Sequence, residues 1–154
     1  MLRDGYWMIV LRKGKVFVPT MAQTEAGYYQ AIEPVSIADE SDSNSIHEAV
    51  MEAVERGNPR IPTPMRDDHK EYVLLKHAGV KSLSTFERLA RTWKLSKRGQ
   101  NFLIAPYRPG QFGGSVEDLG RQESFPDSVP LSEVVRRLVE RALNEAEDMQ
   151  SYTE

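Results

Sequence analysis

The feature that most constrains the fold is an amphipathic helix predicted over residues 45–57. Its apolar side chains recur every three or four positions and so share one helix face: Ile46, Ala49, Val50, Ala53 and Val54. Ser45 and Glu48 match a capping box, in which each side chain bonds a free backbone N–H of the first turn. Gly57 suits a left-handed helix end, and Pro59 prevents continuation. A helix with one apolar stripe must bury it against a second layer of structure.

A second amphipathic helix is predicted near the C-terminus, over residues 130–149. Pro130 suits the first turn of a helix. The apolar positions again form one stripe: Leu131, Val134, Val135, Leu138, Val139 and Leu143. Opposite charges four residues apart, at 133 and 137, 136 and 140, and 141 and 145, line the wet side.

Strands are predicted at the N-terminus. Residues 6–11 are apolar at nearly every position, which is typical of a strand covered on both faces. Residues 16–20 form a second short strand after a turn at Gly14, and residues 27–39 favour a third. Pro34 interrupts the third strand, which indicates a sheet edge or a bulge.

Two shorter helices and a hairpin are predicted in the middle of the chain. Residues 68–78 favour a helix with Asp68 as its cap and Gly79 at its end. Residues 83–92 favour another, capped by Ser82 or Ser84. Its inward-facing side chains are Leu83, Phe86, Leu89 and Ala90. A hairpin then turns at Gly99 and returns over residues 102–107, and residues 111–127 are irregular apart from a short strand at 124–125.

The order of these elements predicts an α+β domain. We expect a single domain over residues 1–146, in which three to four helices pack on a mainly antiparallel sheet. Residues 147–154 are predicted to be a disordered C-terminal tail. A chain of 154 residues can bury about two thirds of its unfolded surface, so this domain needs no disulfide or metal to hold it together.

The composition excludes several classes of function. The chain has no cysteine, which excludes a disulfide framework, a thiolate nucleophile and a cysteine-rich zinc site. No apolar run approaches the roughly 20 residues of a membrane span. The apolar stretch at residues 6–11 is too short for the core of a signal peptide, and no small-residue cleavage site follows it. We therefore expect a cytoplasmic protein without a membrane partner.

Few residue clusters could support catalysis. Asp67, Asp68 and His69 suggest a metal site, but such a site needs three or four converging ligands, and an acidic pair before a helix is far more often a cap favoured by the helix dipole. The glycine-rich residues 110–115 lack the strand–loop–helix context and the Lys-Ser/Thr pair of a phosphate-binding loop. No Gly-x-Ser-x-Gly elbow is present. We predict no enzymatic activity, no metal and no cofactor.

Charge is distributed unevenly along the chain, although the net charge is only −3. Residues 21–55 contain eight acidic residues and no Lys or Arg, whereas residues 56–108 contain twelve basic residues and four acidic ones. Two interpretations are open. The blocks can form opposed patches that steer charged partners, or they can be two solvated faces that neutralise each other in the fold.

The basic block, residues 56–108, offers an alternative function as a helix-turn-helix-like regulator that binds nucleic acid. Residues 76–93 follow the outline of that motif, with Ala78, Gly79 and Val80 at the turn. The apolar spacing after the turn argues against it, because Leu83 stands where a base-reading polar side chain is needed. Nucleic acid is therefore not the expected partner.

Four stretches together resemble the immunity proteins of contact-dependent growth inhibition (CDI) systems. They are GYYQAIEPV, AVERGNPRIPTP, LLKHAGVKSLSTFERLARTW and, late in the chain, FP followed by VPLSEVVRRLVE. The resemblance covers residues 6–143, and its tightest motifs are residues 57–64 and 79–82. Both are structural motifs without attached chemistry. The proline-rich motif then represents a preorganised connector, whose prolines reduce the entropy of the unfolded chain.

The resemblance implies a small cytoplasmic protein that binds and neutralises the C-terminal domain of a cognate toxin from neighbouring bacteria. Such toxins are commonly nucleases, whose substrate-binding face is basic, and clustered carboxylates can cover that face and accelerate association. Our hypothesis places the toxin on six acidic residues: Glu33, Asp39, Glu40, Asp42, Glu48 and Glu52. Glu48 has a competing capping role, so Glu52 and the acids at 39–42 are the stronger candidates.

Overall fold

The computed structural model describes residues 2–65, 72–111 and 115–145. The strands in these ranges are β1 (Gly5–Arg12), β2 (Lys15–Thr24), β3 (Tyr29–Asp39), β4 (Arg60–Ile61), β5 (Arg91–Arg98), β6 (Asn101–Pro109), β7 (Ser115–Glu117) and β8 (Glu123–Pro126). The helices are α1 (Ser43–Arg56), α2 (Val73–Ala78), α3 (Leu83–Leu89) and α4 (Leu131–Asn144), with a 3₁₀ turn at Leu119–Arg121. The predicted α+β class is confirmed, whereas the predicted tail at 147–154 lies outside the described residues.

The eight strands form one sheet in the order β3–β2–β1–β5–β6–β7. β8 pairs with the first half of β6, and β4 pairs in parallel with the end of β2. The other pairings are antiparallel, as predicted. β3 lies at the edge, and its register with β2 skips Glu33 and Pro34. Pro34 thus occupies both an edge strand and a bulge, positions where its missing N–H costs no ladder bond.

One face of the sheet, which we call the first face, is covered by α1 and α4. Its strand residues include Ile9, Trp93 and Leu95, all buried. The predicted stripe of α1 is buried throughout. The α4 residues buried on this face are Val134, Val135, Leu138, Val139 and Ala142. Leu131 and Leu143 pack at the margin and are partly buried.

The opposite face, which we call the second face, is covered by α2 and α3. Phe86 is buried here at 2% exposure, as predicted. Leu83 and Leu89 are 46% and 40% exposed, so the prediction that they face inward is wrong. The reason is the length of α3, which has only seven residues. Its central residue, Phe86, reaches the core, whereas Leu83 and Leu89 are the first and last residues of the helix and lie outside its buried contact with the sheet.

Capping residues determine where the helices begin and end. α1 starts at Ser43 because Asp42 caps it: Asp42 Oδ1 accepts a hydrogen bond from Ser45 N at 3.1 Å, and Oδ2 accepts one from Ser45 Oγ at 2.7 Å. The predicted capping box of Ser45 and Glu48 is therefore wrong, because the carboxylate one turn earlier is a stronger acceptor at the positive helix end. Gly57 follows α1 with a positive φ of 72° that favours glycine.

The two short helices are also bounded by specific residues. Ser82, and not Ser84, caps α3, since Ser82 Oγ accepts a hydrogen bond from Thr85 N at 3.2 Å. α3 ends at Leu89 and β5 begins at residue 91, so residues 91 and 92 are strand where helix was predicted. Gly79 ends α2, as predicted, and adopts the left-handed conformation. The predicted start of that helix is wrong, because α2 begins at Val73 with Tyr72 at its N-cap position. Asp68, the predicted cap, lies outside the described residues.

Asn58, in the proline-rich motif, fills the gap where β1 and β2 diverge. Its Nδ2 donates to the carbonyl oxygens of Tyr6 and Met21, both at 2.8 Å, and its Oδ1 accepts from Tyr6 N at 3.1 Å. One side chain thus replaces the missing ladder bonds of two strands. A Cβ on Gly5 would lie 2.5 Å from Asn58 Oδ1, so glycine is required at that position.

The rest of the motif runs along β2 as the short strand β4. Gln23 N donates to Pro59 O at 2.9 Å, and Glu25 N donates to Ile61 O at 3.1 Å. Ala26 N donates to Thr63 Oγ1 at 2.8 Å. Residues 59–64 therefore contribute acceptors at an edge, where prolines need no N–H partner. These contacts agree with the prediction of a connector.

The exposed side of α4 carries ion pairs that differ partly from the prediction. The predicted pairs 136–140 and 141–145 form, at 3.9 and 2.7 Å. Glu133, however, contacts Arg136 at 2.6 Å, and Arg137 contacts Glu123 of β8 at 3.0 Å. Arg137 thus links α4 to the sheet, which the helical spacing alone did not indicate.

Among the described residues, no helix combines the length and apolar composition needed to cross a membrane.

Candidate functional site

The six carboxylates predicted to contact a toxin lie in two separate parts of the molecule. Glu33, in the bulge of β3, contacts α2: its Oε1 lies 2.6 Å from His77 Nε2 and 3.2 Å from Lys76 Nζ. The hydrogen bond with His77 contributes most to lowering the pKa of Glu33, and the contact with Lys76 lowers it further. The other five residues follow one another from the end of β3 into α1, which covers the opposite face of the sheet. The structure therefore separates Glu33 from the other five.

Asp39 and Asp42 shape the connection between β3 and α1. Asp39 Oδ1 accepts hydrogen bonds from Ser41 N at 3.0 Å and from Ser41 Oγ at 2.8 Å, and its Oδ2 lies 3.3 Å from Lys15 Nζ. The backbone N–H of Ser41 and then its hydroxyl lower the pKa of Asp39 to about 2. The Ser45 hydroxyl and then its backbone N–H also lower the pKa of Asp42. Both carboxylates are exposed, but each also has a local structural role.

Glu48, Glu52 and Glu55 form a surface that we call the acidic helix face. All three are exposed on α1, at positions i, i+4 and i+7, and thus share one side of the helix. Within the described residues, no Lys, Arg or His nitrogen lies within 4.0 Å of these carboxylates or of Glu40. Glu55 was absent from the predicted site, although its helical spacing already placed it beside Glu52.

An apolar groove of about 480 Å³ lies beside the acidic helix face. Leu2, Met51 and Leu131 contribute to its lining, together with the three glutamates and two other α1 residues. A groove with an apolar lining and acidic side chains suits a partner that presents both apolar and basic side chains. The predicted acidic surface is thus more varied chemically than its sequence suggested.

A second candidate lies on the second face, where α3 leaves part of the sheet uncovered. A cavity of about 360 Å³ is lined by four aromatic rings, those of Tyr6, Tyr72, Phe86 and Tyr107, among other residues. The hydroxyls of Tyr6 and Tyr107 are hydrogen-bonded at 2.5 Å. The rings of Tyr72 and Phe86 meet edge to face, with their centroids 5.8 Å apart. We call this site the aromatic cavity.

Two carboxylates lie in or near the aromatic cavity. Glu87 lines it and is exposed. Glu117 of β7 pairs with Lys94, Oε2 to Nζ, at 2.8 Å, and the Lys94 side chain is only 9% exposed. Burial chiefly raises the pKa of Tyr6, followed by the interaction with Tyr107 and then by the charge of Glu117. Burial and then the charge of Glu87 raise the pKa of Tyr72. The phenol groups are therefore neutral hydrogen-bonding groups in an apolar, negatively polarised setting.

Several described residues of the basic block are not available for the exposed basic surface that the nucleic-acid alternative requires. Lys94 and Lys97 are buried, at 7% and 4% exposure, and Lys76 pairs with Glu33. α2 and α3 do form a helix pair around Gly79, but α3 is only about 10 Å long. Leu83 is exposed where a polar contact to a base would be needed. These positions argue against the alternative.

Within the described ranges, no group of three or more His, Cys, Asp or Glu side chains could hold a metal ion. Asp67, Asp68 and His69, the cluster weighed as a metal site, lie outside those ranges. So do residues 112–114 of the glycine-rich segment. His47, on α1, has its Nε2 3.0 Å from Ser132 O, which places it in the contact between α1 and α4.

Solved structures share this fold, whereas no protein-family model and no curated protein matches the sequence. A protein of unknown function, NMB0488 from Neisseria meningitidis, aligns with a TM-score of 0.66 at 12% identity, over 94% of this chain and 96% of that chain. A chain of the CdiA-CT/CdiI toxin and immunity complex from Yersinia pseudotuberculosis aligns with a TM-score of 0.61 at 13% identity, over 94% and 97%. At these identities the likeness shows a common fold.

Proposed function

We propose that this chain is an immunity protein, which binds a cognate toxin domain in the cytoplasm and neutralises it without catalysis. The observation that carries the proposal is the shared fold, over 94% of the chain, with a chain of a toxin and immunity complex. The motifs at residues 57–64 and 79–82 resemble the CDI immunity family independently of that comparison. Two lines of argument thus lead to one function.

The proposed toxin-binding surface is centred on the acidic helix face and Glu40. Glu48 does not take part in capping, because Asp42 caps α1. Glu48 and Glu52 are exposed and lie next to an apolar groove, which gives the surface both a charged rim and an apolar part. Asp39 and Asp42 order the loop that carries Glu40, and Glu33 lies outside this surface.

The partner that fits this surface is a basic toxin C-terminal domain, such as that of a nuclease. A nuclease binds a polyanion, so its active face carries basic side chains that unpaired carboxylates can cover. Long-range attraction between the two surfaces would also speed association, and added salt would reduce it. Rapid capture is useful to a protein that must act before the toxin reaches its substrate.

The test is a charge reversal of the acidic helix face, Glu48→Lys with Glu52→Lys and Glu55→Lys. Association with the toxin encoded next to this chain should slow by at least about tenfold at low salt, and its salt dependence should decrease. Growth protection against that toxin should fall accordingly. Stopped-flow kinetics at two salt concentrations measure the effect.

A matched control reverses Glu25 and Asp127, which are exposed and lie outside α1. It should bind like the unmodified protein. A reversal of Asp39, Glu40 and Asp42 separates the loop from the helix. If the α1 variant binds and protects normally, the acids are only solvated surface and the interface must be sought near residues 115–121. If the unmodified protein fails to bind the neighbouring gene product, the immunity function itself is wrong.

A further inference from the structure

We propose that the aromatic cavity binds the guanidinium or ammonium group of an arginine or lysine side chain from a protein partner. The cavity lies on the second face, whereas the acidic helix face lies on the outside of a helix that covers the first face. The inference therefore goes beyond the proposed function and does not depend on it.

The lining has the composition that recognises organic cations. Four aromatic rings contribute to the lining of about 360 Å³, a volume of the right order for one long side chain. Ring faces attract ammonium and guanidinium groups, and the attraction grows where water is excluded. The fold already uses this interaction twice: the Arg12 guanidinium carbon lies 5.6 Å from the Phe86 centroid, and that of Arg141 lies 4.9 Å from the Trp93 ring.

Charge in the lining favours a cation over a neutral or anionic group. Glu87 is the charged residue among those that line the cavity, and no cationic nitrogen of the described residues lies within 4.0 Å of its carboxylate. Of the cations nearby, Lys94 is neutralised by Glu117, at 2.8 Å, and Arg12, which contacts the Phe86 ring, is not among the residues that line the cavity. An entering guanidinium would thus meet one unpaired carboxylate and neutral phenol oxygens that can accept hydrogen bonds.

The geometry also provides rigid support for the rings. The bond between the Tyr6 and Tyr107 hydroxyls fixes two rings that belong to different strands. Tyr6 is further held by stacking on Tyr29, with the centroids 5.1 Å apart, and by its backbone bonds to Asn58. Because these side chains are ordered before binding, little entropy is lost when a cation enters.

The experiment titrates the ¹⁵N-labelled protein with N-acetyl-arginine amide and, in parallel, with the neutral isostere N-acetyl-citrulline amide. We expect saturable shifts at the amides of Glu87 and Thr92 with a dissociation constant in the millimolar range for the arginine probe. Binding of the citrulline probe should be weaker by about tenfold. Glu87→Gln should weaken arginine binding about fivefold, because it removes the charge but keeps the shape.

Glu25→Gln serves as a matched control and should leave arginine binding unchanged, since Glu25 is an exposed acid on the turn after β2. Equal affinity for arginine and citrulline would overturn the proposal in favour of an apolar occupant. Shifts confined to Glu48, Glu52 and Glu55 would overturn it too, because the probe would then bind only the acidic helix face. An unchanged affinity of Glu87→Gln for the arginine probe would also overturn the proposal.

Discussion

The two faces of the sheet are covered in different ways. On the first face, two helices of 14 residues each bury continuous apolar stripes against the sheet. On the second face, helices of six and seven residues cover only part of the sheet and leave the aromatic cavity open beside them. Leu83 lines that cavity and is 46% exposed. The first face has the features of a folding core, and the second those of a site with room for a ligand.

This difference suggests how stability and recognition are divided in the molecule. Close-packed interiors lose stability with every removed methylene group, whereas a concave site with a few polar groups can vary and still fold. The acidic helix face is attached to the well-packed side through α1. A partner bound there would dock on a rigid helix, while a side chain entering the aromatic cavity would meet a smaller and less completely covered layer.

The largest expected effect compares one aromatic residue from each face. Trp93→Ala should destabilise the protein by about 4–5 kcal/mol, because Trp93 is 1% exposed within the continuous first-face core. Phe86→Ala should cost about 3 kcal/mol, since the residues around the existing cavity can relax into the space it leaves. Urea unfolding of both variants gives the two free energies of unfolding.

Leu83→Ala provides the control for this comparison. Leu83 lies in the same helix as Phe86 but is exposed, so its loss should change the free energy of unfolding by less than about 1 kcal/mol. Equal losses for Trp93→Ala and Phe86→Ala would contradict the division into a dense face and an adaptable one. A large loss for Leu83→Ala would restore the inward orientation that the sequence predicted for it.

The sequence predicted the first face better than the second for a physical reason. The stripes of α1 and α4 are local patterns, repeated over several turns, and each turn supports the same orientation. α3 has fewer than two turns, so Leu83, Phe86 and Leu89 fit a stripe that the helix is too short to bury. A pattern of three positions indicates a helix but does not determine which of them reaches the core.

The aromatic cavity was not predicted because its parts are distant in sequence. Tyr6 and Tyr107 are 101 positions apart, and only the β1–β5–β6 pairing brings them together. Lys94 is buried against Glu117 of β7, a tertiary contact that the local sequence pattern does not indicate. The acids of α1, by contrast, were predicted as a surface because helical spacing alone places Glu48 beside Glu52. Local spacing thus predicted one surface, and tertiary pairing created the other.

An intermediate effect is expected from the substitution of Asn58, which joins β1 and β2. Asn58→Ala leaves Tyr6 N, Tyr6 O and Met21 O without their partner in a half-buried gap. The loss of these bonds should cost about 2 kcal/mol of unfolding free energy. Hydrogen exchange should accelerate most at the Tyr6 amide, whose hydrogen Asn58 Oδ1 accepts.

Pro59→Ala is the matched control for the proline-rich motif. It keeps the Asn58 side chain and the Pro59 carbonyl position that Gln23 N bonds, so it should cost less than about 1 kcal/mol. If Pro59→Ala were as damaging as Asn58→Ala, chain stiffness rather than the amide bonds would hold the strands. The motif would then be a connector only, with no part in shaping the second face.

The smallest expected effect concerns the loss of stability at low pH. It compares two carboxylates, one associated with each face of the sheet. Asp39 orders the turn into α1, and Glu33 contacts α2. The pKa of Asp39 is lowered to about 2, chiefly by the N–H of Ser41, and that of Glu33 is lowered chiefly by His77. A carboxyl whose pKa is lower in the folded state adds stability that is present above its unfolded pKa, about 4, and is lost as the pH falls through the folded pKa.

Asp39→Asn and Glu33→Gln keep the shape of each side chain but remove its titration. Thermal unfolding midpoints, measured from about pH 5 to about pH 2, should therefore fall less steeply in Asp39→Asn than in the unmodified protein. Glu33→Gln should flatten the same limb and accelerate hydrogen exchange at Leu74 and Leu75 in α2, because the contact with Lys76 and His77 is weakened. Both carboxylates are exposed, so both changes should be small. Curves parallel to that of the unmodified protein would mean that neither carboxylate links the pH to the stability of its face.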